Sequence, residues 1–223
     1  MGNSLEIDSV QLRFGDRIIL NNIYVKAITG KITGILGRNG CGKTCLLKLI
    51  FGEIHTNEKS VRINGKVLLE DNRNPAEIRM LPQFNFLPKG LTVVQAFQFF
   101  NADFTTFCDL FTEFRDWSLY KIKQLSSGNI RILETFLILT SKTDFCILDE
   151  PFSHLSPKNA TVFMEIMKQE KENKGIILTD HLYYYVTKVC DNLYVIKDCV
   201  TYPIDNLSKL SDYGYLNASK NYP

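Results

Sequence analysis

The sequence predicts an α/β fold, in which a core sheet of parallel strands is combined with an antiparallel β subdomain and an inserted α-helical subdomain. Three continuous apolar segments, residues 31–36, 144–148 and 175–179, each lead into a helical pattern, as strands buried on both faces of a parallel sheet do. Shorter segments near the N-terminus alternate between apolar and polar residues, which is typical of antiparallel strands. With 223 residues, the chain is expected to form a single domain over 1–223, with the helical subdomain at approximately 84–140.

Two pairs of short strands account for the antiparallel subdomain. Apolar and polar residues alternate over 5–12, and a turn at Gly15-Asp16 separates this strand from the apolar segment 17–20. Further along the chain, Asn64-Gly65 lies between two short apolar segments, and this dipeptide strongly favours tight hairpins.

The pattern becomes helical and rich in aromatic residues between residues 92 and 140, notably over 97–100 and 104–117. Most of these aromatic side chains are expected in the core, with a minority left for a groove that faces a partner. The last twenty residues are rich in Asn, Ser, Tyr and Lys, and they predict a short helix followed by a polar tail.

The segment Gly37–Thr44 matches the pattern G-x-x-x-x-G-K-[ST] and lies between the first apolar run and a helical pattern. Its glycines let the backbone turn tightly and bring N–H groups close to a polyphosphate. The ammonium of Lys43 is expected to reach the β- and γ-phosphates, and the Thr44 hydroxyl to bind Mg2+. The pattern predicts a P-loop NTPase core, against the alternative of a Gly-rich turn without a ligand. The expected nucleotide-binding residues are Gly37, Arg38, Asn39, Gly40, Cys41, Gly42, Lys43, Thr44 and Cys45.

Two acidic residues, Asp149 and Glu150, follow directly after the apolar segment 144–148. Taken alone, such a pair is more often a solvated turn than a site. After a phosphate loop, however, Asp149 is expected to hold Mg2+, directly or through water. Glu150 is then expected to orient and deprotonate the water that attacks the γ-phosphate.

The overall charge gives little support for a nucleic-acid partner. There are 26 basic and 24 acidic residues, and the net charge of +2 provides neither a large field nor a polybasic tract. The N-terminus lacks the basic start and apolar block of a secretory signal, and no window holds 18 uninterrupted apolar residues. These features favour a cytoplasmic protein without membrane spans.

The six cysteines form no C-x-x-C pairs, and they are expected to be reduced thiols that pack as small hydrophobic side chains. Cys41 differs because it lies inside the phosphate loop near a helix N-terminus, a setting that can lower the pKa of a thiol. Our hypothesis is that alkylation of Cys41 blocks the nucleotide sterically, and a redox role is not favoured.

Three further segments resemble the nucleotide-binding subunits of ATP-binding-cassette (ABC) transporters, and the resemblance covers essentially the whole chain. Leu125-Ser-Ser-Gly-Asn129 resembles the family signature Leu-Ser-Gly-Gly-Gln, Gln83 resembles the Q-loop glutamine, and His181 resembles the switch histidine. A lone glutamine in a loop is usually solvated, and a lone histidine after a strand is usually a capping or surface residue. The signature is more specific, because no other phosphate-loop family combines it with a histidine after the next strand. The resemblance implies an ABC-type core and ATP as the nucleotide.

The resemblance also implies roles for residues around the nucleotide. His181 would donate a hydrogen bond to the γ-phosphate and hold Glu150 and the water in line, while Gln83 would reach Mg2+. Phe14 matches the aromatic residue that stacks on adenine, with strand packing as the alternative.

A second subunit is implied by the signature. Ser126, Ser127 and Gly128 would face the γ-phosphate held by another ABC ATPase subunit, in a homodimer or a heterodimer, so that dimerisation is part of catalysis. This chain departs from the family pattern, since Ser127 replaces a glycine, Asn129 replaces the glutamine, and Ser156 stands where an aspartate is usual. We expect weakened contacts across the dimer and slow but real hydrolysis.

The leading functional hypothesis is an ATP-hydrolysing subunit that drives a separate transmembrane permease subunit and lies peripherally on the cytoplasmic face of the membrane. Residues 83–94 would form the surface that contacts the permease. One alternative is a soluble ABC-type ATPase that acts on nucleic acid or ribosomes. Relatives of that kind carry two cassettes or a long coiled-coil insertion, and no direct nucleic-acid contact is expected here. A phosphate-loop kinase would leave the segment 125–129 unexplained.

Overall fold

The structure is a computed structural model that describes residues 2–68 and 74–214. The polar tail predicted from the last residues lies outside this part of the chain. The strands are β1 (Ser4–Phe14), β2 (Arg17–Ile28), β3 (Ile32–Gly37), β4 (Ser60–Ile63), β5 (Lys66–Val67), β6 (Ile78–Leu81), β7 (Phe145–Asp149), β8 (Gly175–Thr179), β9 (Asn192–Lys197) and β10 (Val200–Ile204). The α-helices are α1 (Lys43–Phe51), α2 (Val93–Phe100), α3 (Phe104–Leu110), α4 (Ser127–Leu139), α5 (Pro157–Glu170) and α6 (Tyr183–Val189).

A six-stranded sheet in the order β10-β9-β3-β8-β7-β6 forms the core. Strands β6 to β9 and β3 pair in parallel, and β10 adds to one edge in antiparallel orientation. Every residue of β7 and β8 is buried. Their side chains point alternately to the two faces, so that Ile147 and Ile177 pack on one side while Leu148 and Leu178 pack on the other. The three strands predicted from continuous apolar runs are confirmed as neighbours in this sheet.

A second, antiparallel sheet has the order β2-β1-β4-β5. The predicted turn at Gly15-Asp16 joins β1 to β2, and the predicted hairpin at Asn64-Gly65 joins β4 to β5. Helix α1 lies between the two sheets, where Leu46, Leu47 and Ile50 pack in one hydrophobic cluster with residues of both. Burial of this helix on several sides fixes the loop that precedes it.

The other face of the core sheet is covered by helices α2 to α6. The aromatic-rich segment supplies the interior of this layer, since Phe97, Phe107, Phe111 and Phe114 are fully buried. Short 3-10 turns at Thr112–Trp117 and Ile122–Gln124 complete the helical segment predicted between about 92 and 140. A further 3-10 helix, Leu207–Tyr213, corresponds to the short helix predicted near the C-terminus.

Candidate nucleotide-binding site

The phosphate-loop motif forms the turn between β3 and α1, at the carboxyl edge of the parallel strands. Gly42 has a φ of 104°, which glycine adopts without strain, and a Cβ there would lie 2.8 Å from Cδ2 of Leu20. Gly37 is needed for space, because a Cβ there would lie 2.3 Å from Sγ of Cys41. The loop can therefore fold tightly only with glycine at these two positions.

Helix α1 begins without a side-chain cap and without an acidic residue in its first turn. The N–H groups of that turn are available to an anion, and the helix dipole favours one there. Lys43 is buried, and its ammonium donates hydrogen bonds to the carbonyl oxygens of Gly37 at 2.7 Å and Arg38 at 3.3 Å. The loop thus combines a cation with the N–H groups of an uncapped helix N-terminus, which is the chemistry that binds a polyphosphate.

Asp149 lies beneath the loop at the end of β7 and is fully buried. The Thr44 hydroxyl donates a 3.3 Å hydrogen bond to Oδ1 of Asp149, whereas the buried Oδ2 has no hydrogen-bond partner among the described residues. Burial raises the pKa of Asp149 to about 6, although the bond from Thr44 acts in the opposite direction. A buried carboxylate with an unsatisfied oxygen costs free energy, and a cation would remove that cost.

The oxygen atoms of Thr44 and Asp149 fit Mg2+ as ligands. This ion prefers oxygen ligands, and it is held by few protein groups when it also binds phosphates. A hydroxyl and a carboxylate oxygen lie side by side, and the second carboxylate oxygen has no hydrogen-bond partner within residues 2–68 and 74–214. Thr44, Asp149 and Gln83 are the residues that would hold the ion. Among the described residues there is no cluster of three or more His, Cys, Asp or Glu side chains suited to another metal.

Glu150 follows Asp149 in a left-handed conformation, with a φ of 51°, and its N–H donates to the carbonyl oxygen of Thr179 at 2.8 Å. Its Oε2 accepts a 3.0 Å hydrogen bond from the Ser153 hydroxyl and lies 3.4 Å from Nδ1 of His181. His181 Nδ1 is also 3.4 Å from Oδ1 of Asp180. The imidazole therefore stands between two carboxylates, one at the surface of the pocket and one buried.

Asp180 is fixed from both sides by backbone. Its two oxygens accept hydrogen bonds from the N–H groups of Phe152 and Leu182, each at 2.9 Å. Burial raises the pKa of Asp180, while these two bonds and the neighbouring His181 act against that shift. Because Asp180 is held so firmly, it anchors the position of His181.

One pocket, with a volume of about 570 Å³, brings most of the expected residues together. Gln83, Glu150 and His181 line the same space as the phosphate loop, although they come from three separate segments of the chain. Two residues of β2, Arg17 and Ile19, also line it and were not expected. The loop residues in the wall are Asn39, Gly40, Gly42, Lys43, Thr44 and Cys45.

The signature residues lie apart from this pocket. Ser126 is the N-cap of α4 and accepts a 3.2 Å hydrogen bond from the N–H of Asn129, and both Ser126 and Ser127 are exposed. Gly128 lies under the carbonyl of His154, which would be 3.2 Å from a Cβ. The start of α4 therefore offers its hydroxyls to the outside of the molecule, where another molecule can reach them.

Four other expected nucleotide-binding residues also lie outside the pocket wall, and one of them is Gly37, whose place in the loop is described above. Phe14 is 55% exposed and ends β1 opposite Arg17, which does line the pocket. Arg38 is an exposed loop residue next to Gly214. Cys41 packs in the hydrophobic cluster beside α1, and burial raises the pKa of its thiol. A helix N-terminus can lower the pKa of a thiol, but here the loss of water around the thiolate outweighs the opposing effect of the Lys43 charge and of backbone N–H groups.

Two buried charged residues of α4 were missed in the sequence. Arg131 is 2% exposed and Glu134 is fully buried, and both bond to backbone near the pocket. Burial lowers the pKa of Arg131 and raises that of Glu134. The sequence does carry a signal for these two residues, because they interrupt an otherwise apolar helical segment. Burial of an unpaired charge is strongly disfavoured, so charged residues in such a segment indicate specific partners inside the protein.

No helix in the described part of the chain is long and apolar enough to cross a membrane.

Comparison with known proteins gives consistent matches. A sequence model of the family described as ABC transporter matches residues 20–153. An uncharacterised ABC transporter ATP-binding protein of Methanocaldococcus jannaschii is 29% identical over 208 residues, which cover 88% of this chain and 75% of that protein. The Nod factor export ATP-binding protein I of Burkholderia lata is 26% identical over 206 residues, covering 87% and 68% of the two chains. A solved structure described as the ATP-binding subunit of an ABC transporter has a TM-score of 0.78 at 20% identity, covering 94% and 93%. This similarity confirms the predicted fold class.

Proposed function

Because this chain belongs to the ABC transporter family, as an ATP-binding subunit, we propose that it hydrolyses ATP with Mg2+ and drives a separate transmembrane permease subunit. The observation that carries the proposal is the shared pocket, in which Gln83, Glu150 and His181 face Lys43 and Thr44. A pocket that only bound ATP would need the loop but would not need an acid, an imidazole and an amide in the same wall.

Each residue has a separate task in the proposed reaction. Lys43 and the first turn of α1 bind the phosphates and stabilise their charge. Glu150 accepts the proton of the attacking water, and His181, held by Asp180, keeps the Glu150 carboxylate in place and donates toward the γ-phosphate. When bound by Thr44, Asp149 and Gln83, Mg2+ would neutralise charge that builds up on the phosphate oxygens.

The signature residues are proposed to act on a second subunit. Ser126, Ser127 and Gly128 lie outside the pocket of their own chain, and the start of α4 combines hydroxyl groups with helix N–H groups. That combination suits the γ-phosphate of a nucleotide bound by another ABC ATPase subunit, identical or different. The Cβ of Ser127 and the loss of an acid at Ser156 weaken this contact, and we expect slow turnover for that reason.

The surface proposed for the permease is residues 83–94 together with the neighbouring helix α2. Phe84 is 77% exposed and Phe99 is 80% exposed, which is unusual for large aromatic side chains. The Phe99 ring packs edge-on against Phe100 at 5.5 Å, so the exposed surface continues into the core. We propose that one domain over residues 1–223, with a helical subdomain at about 84–140, attaches peripherally to the cytoplasmic face of the membrane through this surface.

Substitution of Glu150 by Gln tests the hydrolysis proposal. The variant should bind ATP with unchanged affinity, because shape and hydrogen bonding are retained, but hydrolyse it about 100- to 10,000-fold more slowly, because the base is lost. It should also accumulate an ATP-bound dimer, measured by light scattering after size exclusion. Glu165→Gln is the matched control, since Glu165 is exposed on α5, and it should keep the wild-type rate. Wild-type turnover by Glu150→Gln would refute the assignment of the base.

Lys43→Ala tests the binding half of the site separately. This variant should lose affinity for ATP itself, by at least about tenfold, because the buried ammonium is the main cation at the loop. Titration calorimetry with a non-hydrolysed ATP analogue measures this without turnover. Unchanged affinity would show that the loop does not hold the phosphates.

The permease proposal is tested by cysteine crosslinking. Phe84→Cys in cells should crosslink to a protein with membrane spans, while a cysteine at the exposed Glu165, which lies on α5 and outside residues 83–94, should not. Recovery of this chain from membranes with no transmembrane protein attached at residues 83–94 would refute the proposal. The alternative of a soluble ATPase acting on nucleic acid or ribosomes is not favoured, because relatives that match this chain are named as ATP-binding proteins of export and import systems.

A further inference from the structure

Arg131 and Glu134 are charged residues placed inside the molecule, on the face of α4 that packs against the site. They lie three positions apart and so share one side of the helix. Burial of such groups is costly unless their hydrogen bonds are made. What they bond to therefore indicates why they are there.

The guanidinium of Arg131 joins two segments that are far apart in sequence. Its Nη1 donates to the carbonyl oxygen of Pro82 at 2.7 Å. Its Nη2 donates to the carbonyl oxygens of Asp149 and of Glu150, the latter at 2.8 Å. One rigid group thus connects the residue before Gln83 to the backbone of Glu150.

Glu134 holds the same loop further along. Its Oε1 accepts hydrogen bonds from the N–H groups of Phe86 at 2.7 Å and Leu87 at 2.8 Å. Arg131 and Glu134 therefore hold the loop on both sides of Gln83, Arg131 at Pro82 and Glu134 at Phe86 and Leu87. The loop cannot move relative to α4 without breaking these bonds.

Glu150 needs support of this kind. A non-glycine residue with a φ of 51° is strained, and such a conformation persists only where the surroundings fix it. Arg131 binds the carbonyl oxygen of this same residue. We propose that Arg131 and Glu134 are positioning residues for ATP hydrolysis, which hold Glu150 and the Gln83 loop in one fixed arrangement on helix α4.

This inference rests on the proposed hydrolytic function, and it links the catalytic residues to the signature residues at the start of α4. Helix α4 starts at Ser126, the N-cap that is proposed to meet the nucleotide of a second subunit. A shift of α4 on that contact moves Arg131 and Glu134 with it, and through them moves Gln83 and Glu150 together. Arg131 and Glu134 would thus couple hydrolysis in this chain's own pocket to the contact between Ser126 and the nucleotide of the second subunit.

The test compares single and double variants in single-turnover hydrolysis of radiolabelled ATP. Arg131→Lys keeps the charge but has a single nitrogen in place of the fork by which Nη1 binds Pro82 while Nη2 binds Asp149 and Glu150, and it should lower the hydrolysis rate by about 100-fold through misplacement of Glu150. Its dissociation constant for ATP should stay within about threefold of wild type. Arg115→Lys is the matched control, because Arg115 is exposed and pairs with the exposed Asp109, and it should keep the wild-type rate.

The double variant Arg131→Lys with Glu150→Gln separates positioning from general damage. If Arg131 acts through Glu150, the double variant should hydrolyse ATP no more slowly than Glu150→Gln alone, because the base to be positioned is already absent. A further loss equal to that of Arg131→Lys would overturn the inference. Wild-type turnover by Glu150→Gln alone would instead refute the proposed function, which keeps the two failures distinct.

Two variants test the role of Glu134, and a further variant of Arg131 covers the case in which Arg131→Lys does not fold. Glu134→Gln keeps an acceptor oxygen and should hydrolyse ATP within about threefold of wild type, whereas Glu134→Ala should be about tenfold slower with unchanged KM. A wild-type rate for Glu134→Ala would overturn the role of this residue. If Arg131→Lys does not bind ATP, Arg131→Gln takes its place, and failure of both to bind ATP would show that Arg131 serves the fold alone.

Discussion

Replacement of Asp149 by Asn should make the protein more stable without nucleotide and at the same time abolish its stabilisation by Mg2+ with ATP. The carboxyl is fully buried, and one of its oxygens has no hydrogen-bond partner in the described part of the chain. Asn has the same shape and no charge. The substitution therefore removes an ionised group from the interior while it leaves the packing around β7 unchanged.

The size of the effect follows from the pKa. The pKa of Asp149 is raised from 3.8 to about 6, and a difference of about 2 units corresponds to about 3 kcal/mol against the ionised form. The buried amide of Asn has its own desolvation cost of about 1 kcal/mol. The variant should be more stable than wild type by about 2 kcal/mol at pH 7.5, which for a chain of this length raises Tm by about 4 to 8 °C.

The sign of the pH dependence is fixed by the direction of the shift. Because the folded pKa lies above the unfolded one, the folded protein keeps a proton that the unfolded chain has lost, so the penalty is absent below about pH 4 and complete above about pH 6. The advantage of the variant should therefore shrink by about 1.5 kcal/mol between pH 7.5 and pH 5.

Thermal and urea unfolding of both proteins at pH 5 and pH 7.5, with and without Mg2+ and ATP, measure these quantities. Asp205→Asn is the control, since Asp205 is 83% exposed, and its stability should differ by less than about 0.5 kcal/mol from wild type. A variant less stable than wild type at pH 7.5, or a gain that does not change with pH, would show that Asp149 is compensated in the protein without ligand.

Three further variants examine other parts of the site. Phe14→Ala should weaken ATP binding by about fivefold with little change in Tm, and Phe14→Tyr should restore the affinity, whereas equal affinity of all three would leave strand packing as the role of Phe14. Cys41 should react slowly with N-ethylmaleimide at pH 7.5, because burial raises its pKa, and ATP should slow the reaction further; reaction unaffected by ATP would contradict the hypothesis that alkylation of Cys41 blocks the nucleotide. Ser156→Ala should lose about 1 kcal/mol because Ser156 caps α5, while Ser156→Asp should keep the cap and strengthen the ATP-dependent dimer, and light scattering that shows no more dimer than wild type would argue against the trans contact.

Local patterns were sufficient for the parts of the fold that local chemistry determines. The hairpin at Asn64-Gly65 and the fully buried strands β7 and β8 follow from short segments of sequence, and the structure contains them. Strands β6, β9 and β10 were not predicted. The short segment Ile78–Leu81 becomes a strand because β7 pairs with it, and Asn192–Lys197 because β3 does, so tertiary contacts decide their state.

The same division applies to the site. Fixed spacing identified the phosphate loop, the position after an apolar strand identified Glu150, and the resemblance to ABC subunits identified Gln83 and His181. These three residues share one pocket with the loop. Arg17 and Arg131 follow no motif, because their positions depend on how β2 and α4 pack on the loop. Ser126 and Ser127 are exposed, so their proposed roles depend on a second molecule that the sequence of one chain does not contain.

The left-handed conformation of Glu150 predicts which substitutions the chain tolerates there. At a φ of 51°, glycine is relaxed and asparagine is nearly so, whereas glutamate costs about 1 kcal/mol and valine, isoleucine or threonine cost more. In a library of all residues at this position, selection for folding alone should therefore enrich glycine and asparagine. Selection for ATP turnover should return glutamate, and the disagreement between the two rankings would measure how far this position is shaped by chemistry rather than by the stability of the fold.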